Sequence, residues 1–374
     1  MRIPDNETRF LSKLRSSIDK NMLSNNILLP RFIVETKNIS YFMKKIIKAL
    51  KVALVYVGTM VGAGFATGQE IQLYFYNTDV FTIIVSSLTT GAFCILMLFS
   101  GQKRILNEKS KIVVDLIFAV SGIITTGIML SGIKSITQSP FIVLISVSVC
   151  ILVAVFGNKA MKIFNAVAVP LIIVSVLTTA FVNGGVVRGE FKPFNAISYS
   201  AMNVFFESVI MYGEGEKMNG KEILITGAIV SVVIFVLVYS MRSACAPLKS
   251  VMPYLASSRI NGLSWLSYLV VILAIYSTIV NCIEVTIRFG RRYFEQSLVY
   301  AFIFLSSYII SVFSFDIMIE KIYPIFGYMG IAFDIYLLIL LSIRIKKKRR
   351  TRLPLSKNIG RNPRSKEYGF RRIS

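Results

Sequence analysis

Residues 58–70 read Gly58-Thr59-Met60-Val61-Gly62-Ala63-Gly64-Phe65-Ala66-Thr67-Gly68-Gln69-Glu70. Four glycines fall within eleven residues of this stretch, and each weakens a helix by about 1 kcal/mol relative to alanine. Small residues also allow helices to pack closely, so the glycines alone leave two interpretations open. The apolar sequence around this stretch places it inside a membrane, where a carboxylate is costly without a partner. Gln69 and Glu70 therefore favour an interrupted helix beside a water-filled cavity.

The rest of the chain is strongly apolar. Hydrophobic residues make up 55% of the sequence and charged residues 16%, and the charges cluster at both ends and in short blocks between apolar runs. A run of about 20 apolar residues is long enough to cross a bilayer as a helix. The runs predict an all-α integral membrane protein with about ten transmembrane helices. These lie near residues 52–76, 80–100, 112–133, 141–157, 160–183, 194–213, 222–241, 262–283, 297–315 and 322–344.

The formal net charge of +23 does not indicate nucleic-acid binding, because Lys and Arg flank the spans and fill the tails, as anionic headgroups favour. This distribution predicts a multi-pass protein of the cell (plasma) membrane with both termini in the cytoplasm. We expect three regions: a polar cytoplasmic extension over 1–45, a ten-helix membrane domain over 46–345, and a basic cytoplasmic tail over 346–374.

The predicted sixth span is short and polar for its depth. Its polar residues are Asn195, Ser198, Tyr199, Ser200, Asn203 and Glu207. The first and sixth spans hold corresponding positions if ten helices form two repeats of five, and interrupted helices at such positions are typical of transporter binding sites. We therefore predict a 5+5 inverted repeat in which helices 1 and 6 are both discontinuous.

The stretch over 58–70 resembles the first-span signature of the YkvI-like bacterial membrane proteins. These are distant members of the amino acid–polyamine–organocation superfamily, which has the LeuT-type fold. The resemblance continues at Ala274-Ile275-Tyr276-Ser277-Thr278 and at Ile322-Tyr323-Pro324-Ile325-Phe326-Gly327-Tyr328, and it covers roughly residues 45–345. It implies the architecture more firmly than the cargo, since much of that family has no assigned substrate.

The LeuT-type resemblance also implies a sodium site between the first and eighth helices. Backbone carbonyls of Gly58, Val61 and Ala274 and the hydroxyls of Ser277 and Thr278 would be its ligands. The alternative is that these hydroxyls bond to carbonyls one turn earlier in their own helix. A second sodium site of that fold has asparagine where Phe65 stands, so we do not expect a two-sodium mechanism.

Sodium is favoured over a proton as the coupling ion, because Lys159 and Lys162 lie at the very start of the fifth span, where they can reach the interface. A proton-coupled relative would carry a basic side chain deeper in that span, near the cation site.

A substrate pocket is predicted between the two interrupted helices. Free backbone N–H groups near Gly64 would bind a carboxylate, and Glu70 would receive a cationic substrate or a proton. The candidate substrate-binding residues are Gly62, Ala63, Gly64, Phe65, Glu70, Tyr199, Asn203 and Glu207.

The predicted function is secondary active transport of a small organic solute, an amino acid or related amine, by alternating access. The alternative is a non-transporting receptor or channel subunit with the same fold. We do not expect an enzyme, because the sequence has no histidine, nucleophile elbow or P-loop. No cofactor is predicted apart from a possible sodium ion, and the sequence assigns no oligomeric state.

Overall fold

The computed structural model describes residues 28–156, 158–245, 250, 252–260, 262 and 264–352. Their regular secondary structure is α-helical, apart from one isolated parallel bridge between Thr78 and Glu190. The helices are α1 (Leu28–Met60), α2 (Ala63–Ala66), α3 (Gln69–Phe75), α4 (Val80–Gln102), α5 (Glu108–Thr137), α6 (Pro140–Val155), α7 (Asn158–Asn183), α8 (Pro193–Gly215), α9 (Gly220–Cys245), α10 (Pro253–Ile260), α11 (Ser264–Gly290), α12 (Gln296–Ile310) and α13 (Phe315–Arg352).

The chain divides into two units, Met1–Lys51 and Val52–Ser374. In the first unit, helix α1 begins at Leu28, inside the region predicted as a polar extension. Residues 1–27 and 353–374, which hold most of the predicted tails, lie outside the described residues.

Five of the described helices are long and apolar enough to cross a membrane: α4, α5, α9, α11 and α13 up to Lys346. Three shorter apolar helices, Pro140–Val155, Val167–Asn183 and Gln296–Ile310, coincide with three further predicted spans. The two remaining predicted spans correspond to α1–α3 and to α8, whose glycines and polar residues lower their hydropathy.

The first span is interrupted twice. Helix α1 ends at Met60, the one-turn helix α2 covers Ala63–Ala66, and α3 starts at Gln69. Gly68 adopts a left-handed φ of 81°, which glycine allows without strain. A Cβ on Gly68 would also lie 2.9 Å from the Cys245 sulfur, so both conformation and space require glycine there.

The prediction that helix 6 is discontinuous was wrong. Helix α8 runs without interruption from Pro193 to Gly215, and neither glycine nor proline lies between residues 194 and 212. Its polar side chains bond back along the helix instead: Ser200 donates to the Ala196 carbonyl at 2.8 Å and Asn203 to the Tyr199 carbonyl at 2.9 Å. Such bonds satisfy polar groups at membrane depth without unwinding the backbone.

Small residues bring the helices close together. Helix α4 packs against α8 and α9, and α8 also packs against α13. A Cβ on Gly91 of α4 would lie 2.7 Å from the Gly227 carbonyl oxygen of α9, and a Cβ on Gly330 of α13 would overlap the Ala201 carbonyl of α8. Backbone approach of this kind is the usual basis of helix association in lipid.

Helix α10 was not predicted. It lies in the connection between α9 and α11 and contacts α3, α7, α9 and α11. It has only eight residues, Pro253–Ile260, and its Ser and Arg residues give it the composition of a loop. The apolar-run argument, which needs about 20 residues, does not detect a helix this short.

Candidate functional site

A cavity of about 50 Å³ lies beside the first interruption, with walls from α1, α3, α5, α8, α11 and α13. Gly62, Glu70 and Asn203, three of the predicted substrate-binding residues, line it. Thr278 of the predicted cation site also reaches the same space. The candidate substrate pocket and the candidate cation site therefore adjoin.

Glu70 folds back over the interruption. Its carboxyl group faces the backbone N–H of Phe65, and a Cβ on Gly64 would overlap that carboxyl group. Glycine at position 64 is thus what allows the carboxylate to sit there. The second carboxylate oxygen, Oε2, is buried and has no hydrogen-bond partner among the described residues.

Phe65 is fully buried, and it contributes its backbone N–H rather than its ring to the site. For Ala63 the structure describes the backbone, in α2, but not the side chain. The interrupted segment therefore acts at the site through main-chain groups and through Glu70.

Tyr199 and Glu207 do not line the cavity beside the first interruption. Tyr199 is buried in an aromatic cluster, with its ring centroid 5.4 Å from that of Tyr74 and 4.9 Å from that of Phe75. This cluster packs α3 against α8. Tyr199 and Asn203 are four residues apart and share one face of α8. Which of the two side chains reaches the cavity depends on how α8 is rotated about its own axis relative to its neighbours.

Glu207 is completely buried on α8, and both of its carboxylate oxygens lack a hydrogen-bond partner among the described residues. The Thr59 hydroxyl faces it but donates to the carbonyls of Val55 and Tyr56, each at 3.0 Å. Asp334 on α13 is likewise buried with both oxygens unpartnered within the described part of the chain.

The residues of the predicted sodium site meet at the first interruption. The Ser277 hydroxyl donates to the Gly58 carbonyl at 3.4 Å, across from α11 to α1. The Thr278 hydroxyl donates to the Ala274 carbonyl at 3.0 Å, which is the local bond given above as the alternative. The same Thr278 oxygen would lie 2.8 Å from a Cβ on Gly62.

Val61 is the first residue after α1, and its N–H donates to the Val57 carbonyl at 2.9 Å. Its own carbonyl therefore lies at the point where the helix stops. Backbone carbonyls are freed where the chain leaves its helical path, beside the hydroxyls of Ser277 and Thr278. Together these oxygen atoms could coordinate a small cation.

Several residues that line the cavity were not predicted. They are neutral polar or aromatic side chains from five helices: Thr59, Ser121, Thr125, Phe118, Phe206, Asn281 and Tyr323. Asn281 is buried and its side-chain oxygen and nitrogen both lack a partner among the described residues. Asn281 could have been predicted from the sequence, because it lies three residues after Thr278 and four after Ser277, on the same helical face.

A second cavity, of about 110 Å³, continues from the first toward the ends of α8 and α11. The two cavities share Phe118, Val209 and Val285 in their walls. Charged residues line the second cavity: Lys111, Asp115, Glu216, Arg288 and Arg292.

The ion pair between Arg292 and Asp115, 2.6 Å long, stands in this wall with the Arg292 side chain 43% exposed. The second cavity therefore leads toward the surface of the protein.

Helix length, composition and buried polar groups together define a multi-pass α-helical membrane protein. No protein-family model matches the chain. The chain is similar to the uncharacterized membrane protein YkvI of Bacillus subtilis (strain 168), with 26% identity over 330 residues, or 76% of this chain and 94% of that protein. The resemblance predicted from the first-span stretch is thereby confirmed.

Among solved structures, the chain is similar to Mhp1, a nucleobase-cation-symport-1 family transporter, in a closed conformation with bromovinylhydantoin bound. The TM-score is 0.46 and the identity 13%, over 79% of this chain and 75% of that chain. A similarity this distant assigns no role to any residue.

Proposed function

We propose that this protein is a secondary transporter of a small organic solute, an amino acid or related amine, coupled to a cation. The observation that carries the proposal is the buried cavity at the interrupted first span, where Glu70, Thr278 and Asn203 meet main-chain groups. Non-helical backbone at membrane depth is tolerated where it lines a cavity, and transporter sites use such segments.

The packing of the helices supports a 5+5 inverted repeat. If the first five spans (α1–α3, α4, α5, α6, α7) correspond to the second five (α8, α9, α11, α12, α13), the contacts come in matched pairs. The contact of α5 with α12 matches that of α11 with α6. The contact of α7 with α9 matches that of α13 with α4, and the contact of α7 with α11 matches that of α13 with α5. A two-fold relation between the halves produces this pattern, although within the described part of the chain only the first span is interrupted.

Sodium is the coupling ion we favour. Oxygen atoms of Gly58, Ala274, Ser277 and Thr278 lie together beside Val61, and an unhydrated alkali cation prefers such neutral oxygen donors. Binding would replace the hydroxyl-to-carbonyl hydrogen bonds seen at this point. The side chains of Lys159 and Lys162, on which the comparison with a proton-coupled site depends, lie outside the described residues.

The route through the protein is uneven in the conformation described. Toward the predicted cytoplasmic side, the first cavity meets the second one, which leads past Phe118 to the ion pair of Arg292 and Asp115. Toward the opposite side, the rings of Tyr74 and Phe75 contact that of Tyr199 in tilted and edge-to-face arrangements, and in this proposal they form the closed gate. This asymmetry is what a carrier with alternating access displays in its inward-facing half-cycle.

The proposal is tested by reconstituting the purified protein in liposomes and measuring uptake of labelled amino acids and amines with and without a sodium gradient. We expect accumulation that collapses when the gradient is removed. Ligand binding with no uptake under any gradient would overturn the transporter and leave the receptor alternative.

A further inference from the structure

We propose that the cargo is a cationic amine that carries no free carboxylate, with Glu70 as its counter-ion. This inference rests on the proposed function and narrows its substrate class. It follows from what Glu70 already occupies in the cavity, from the charge of the lining and from the unpartnered atoms that face the space.

Glu70 covers the backbone donor that a substrate carboxylate would use. The sequence led us to expect free N–H groups near Gly64 to hold such a carboxylate, but the Phe65 N–H faces the Glu70 carboxyl group. The Glu70 carboxyl group fills the space above Gly64 that a side chain there would need. An incoming carboxylate would meet another carboxyl group at this point rather than a free donor.

The charge of the lining points the same way. Among the described residues that line the cavity, Glu70 is the only charged one, and neither lysine nor arginine reaches the space. The cationic residues Lys111, Arg288 and Arg292 line the second cavity instead. Among the described residues, the first cavity therefore has an acidic group and no basic one, which is the opposite of what a carboxylate requires.

Unpartnered atoms show where the amine would bind. Glu70 is 4% exposed and its Oε2 has no partner among the described residues, and the Asn281 side-chain oxygen is in the same situation. A buried carboxylate oxygen without a donor is costly, and an ammonium group supplies two or three N–H donors. The rings of Phe118, Phe206 and Tyr323 in the same wall suit the apolar body of an amine and interact favourably with a cation.

The experiment compares each amino acid with its own decarboxylation product: leucine with isoamylamine, phenylalanine with phenethylamine, and ornithine with putrescine. Binding is measured by thermal stabilisation of the full chain in detergent, and transport by uptake into proteoliposomes. We expect at least one amine to bind at least tenfold more tightly than its parent amino acid and to be taken up. Glu70→Gln keeps an oxygen for the Phe65 N–H but removes the charge, and it should weaken amine binding at least tenfold.

The matched control is Glu295→Gln, an exposed carboxylate at the start of α12, which should bind amines as the wild type does. Preference for the amino acids, with uptake unchanged in Glu70→Gln, would overturn the substrate class and leave transport standing. Amine binding that depends on Glu70 without uptake would support the binding inference and overturn the transporter. Loss of the sodium response alone in Glu70→Gln, with amine binding intact, would assign Glu70 to the coupling ion and overturn the inference.

Discussion

The backbone N–H of Tyr254 donates a 2.9 Å hydrogen bond to the Thr67 carbonyl oxygen, at the second interruption of the first span. The Tyr254 hydroxyl also lies 2.8 Å from that of Ser175 and 3.0 Å from that of Thr179, both on α7. One residue of α10 thus ties the interrupted span to α7. Because Tyr254 is fully buried, these bonds are shielded from water.

Tyr254→Phe should destabilise the protein. The substitution keeps the ring but removes the hydroxyl that Ser175 and Thr179 share, which costs about 1–2 kcal/mol for buried groups. A lower melting temperature in detergent is the expected readout. Tyr293→Phe is the control, because Tyr293 is half exposed and its change should leave the melting temperature within error; equal effects of the two would contradict the role of Tyr254.

Gly215→Ala should weaken the packing of α8 on α4. A Cβ at this position would overlap the Leu98 carbonyl, a backbone atom that cannot move aside alone. We expect a loss of about 1–3 kcal/mol in stability, as for other overpacked sites. Gly213→Ala, two residues earlier on the same helix, meets nothing within 4 Å and should be neutral or slightly stabilising; thermal unfolding of both variants decides the matter.

Gly62→Leu should abolish transport while the protein still inserts into the membrane. Even a Cβ at this position would lie 2.8 Å from the Thr278 hydroxyl, and leucine would fill the cavity beside the first interruption. Gly185→Ala is the control, since a Cβ there meets nothing closer than 3.9 Å. Normal uptake by Gly62→Leu would show that the space at the interruption is not used.

Ser277→Ala combined with Thr278→Ala should remove the sodium stimulation of uptake and leave insertion intact. The pair would supply two of the proposed ligand oxygens, which alanine lacks. Ser267→Ala on the same helix is the control, because that buried hydroxyl has no partner among the described residues. Unchanged sodium stimulation in the double variant would refute the cation site.

The single variants separate the two hydroxyls. Thr278 bonds locally to Ala274, whereas Ser277 reaches across to Gly58. If Ser277→Ala alone removes the stimulation and Thr278→Ala does not, the local alternative holds for Thr278. Uptake at graded sodium concentrations measures both.

Much of the helix pattern could be predicted from the sequence, because apolar runs of membrane length and four closely spaced glycines are local signals. The continuous α8 shows where local signals fail: polar residues alone do not interrupt a helix when their side chains can bond back to it, as Ser200 and Asn203 do. The position of Tyr199 away from the cavity depended on helix rotation, which is set by packing between distant parts of the chain.

The Glu70 interaction shows the same limit at the site. Its candidacy could be predicted from a carboxylate at membrane depth, but its close approach to Gly64 depends on the path of the backbone through that residue. The cavity wall formed by α5 and α13 was missed, because its threonine, serine and aromatic residues are common in spans that only pack. These residues line the cavity because the fold brings distant helices together, and no single stretch of sequence shows which residues meet.

The contrast between a jointed first span and an unbroken α8 has a mechanical consequence. The 23 residues of α8 form a rod of about 34 Å at 1.5 Å per residue, so labels near its two ends keep a constant separation through a turnover cycle. Labels on α1 and α3 are divided by two pivots, at Val61–Gly62 and at Thr67–Gly68. If the protein is the carrier proposed above, its shape change at the centre of the bundle should therefore be concentrated in one half of the molecule.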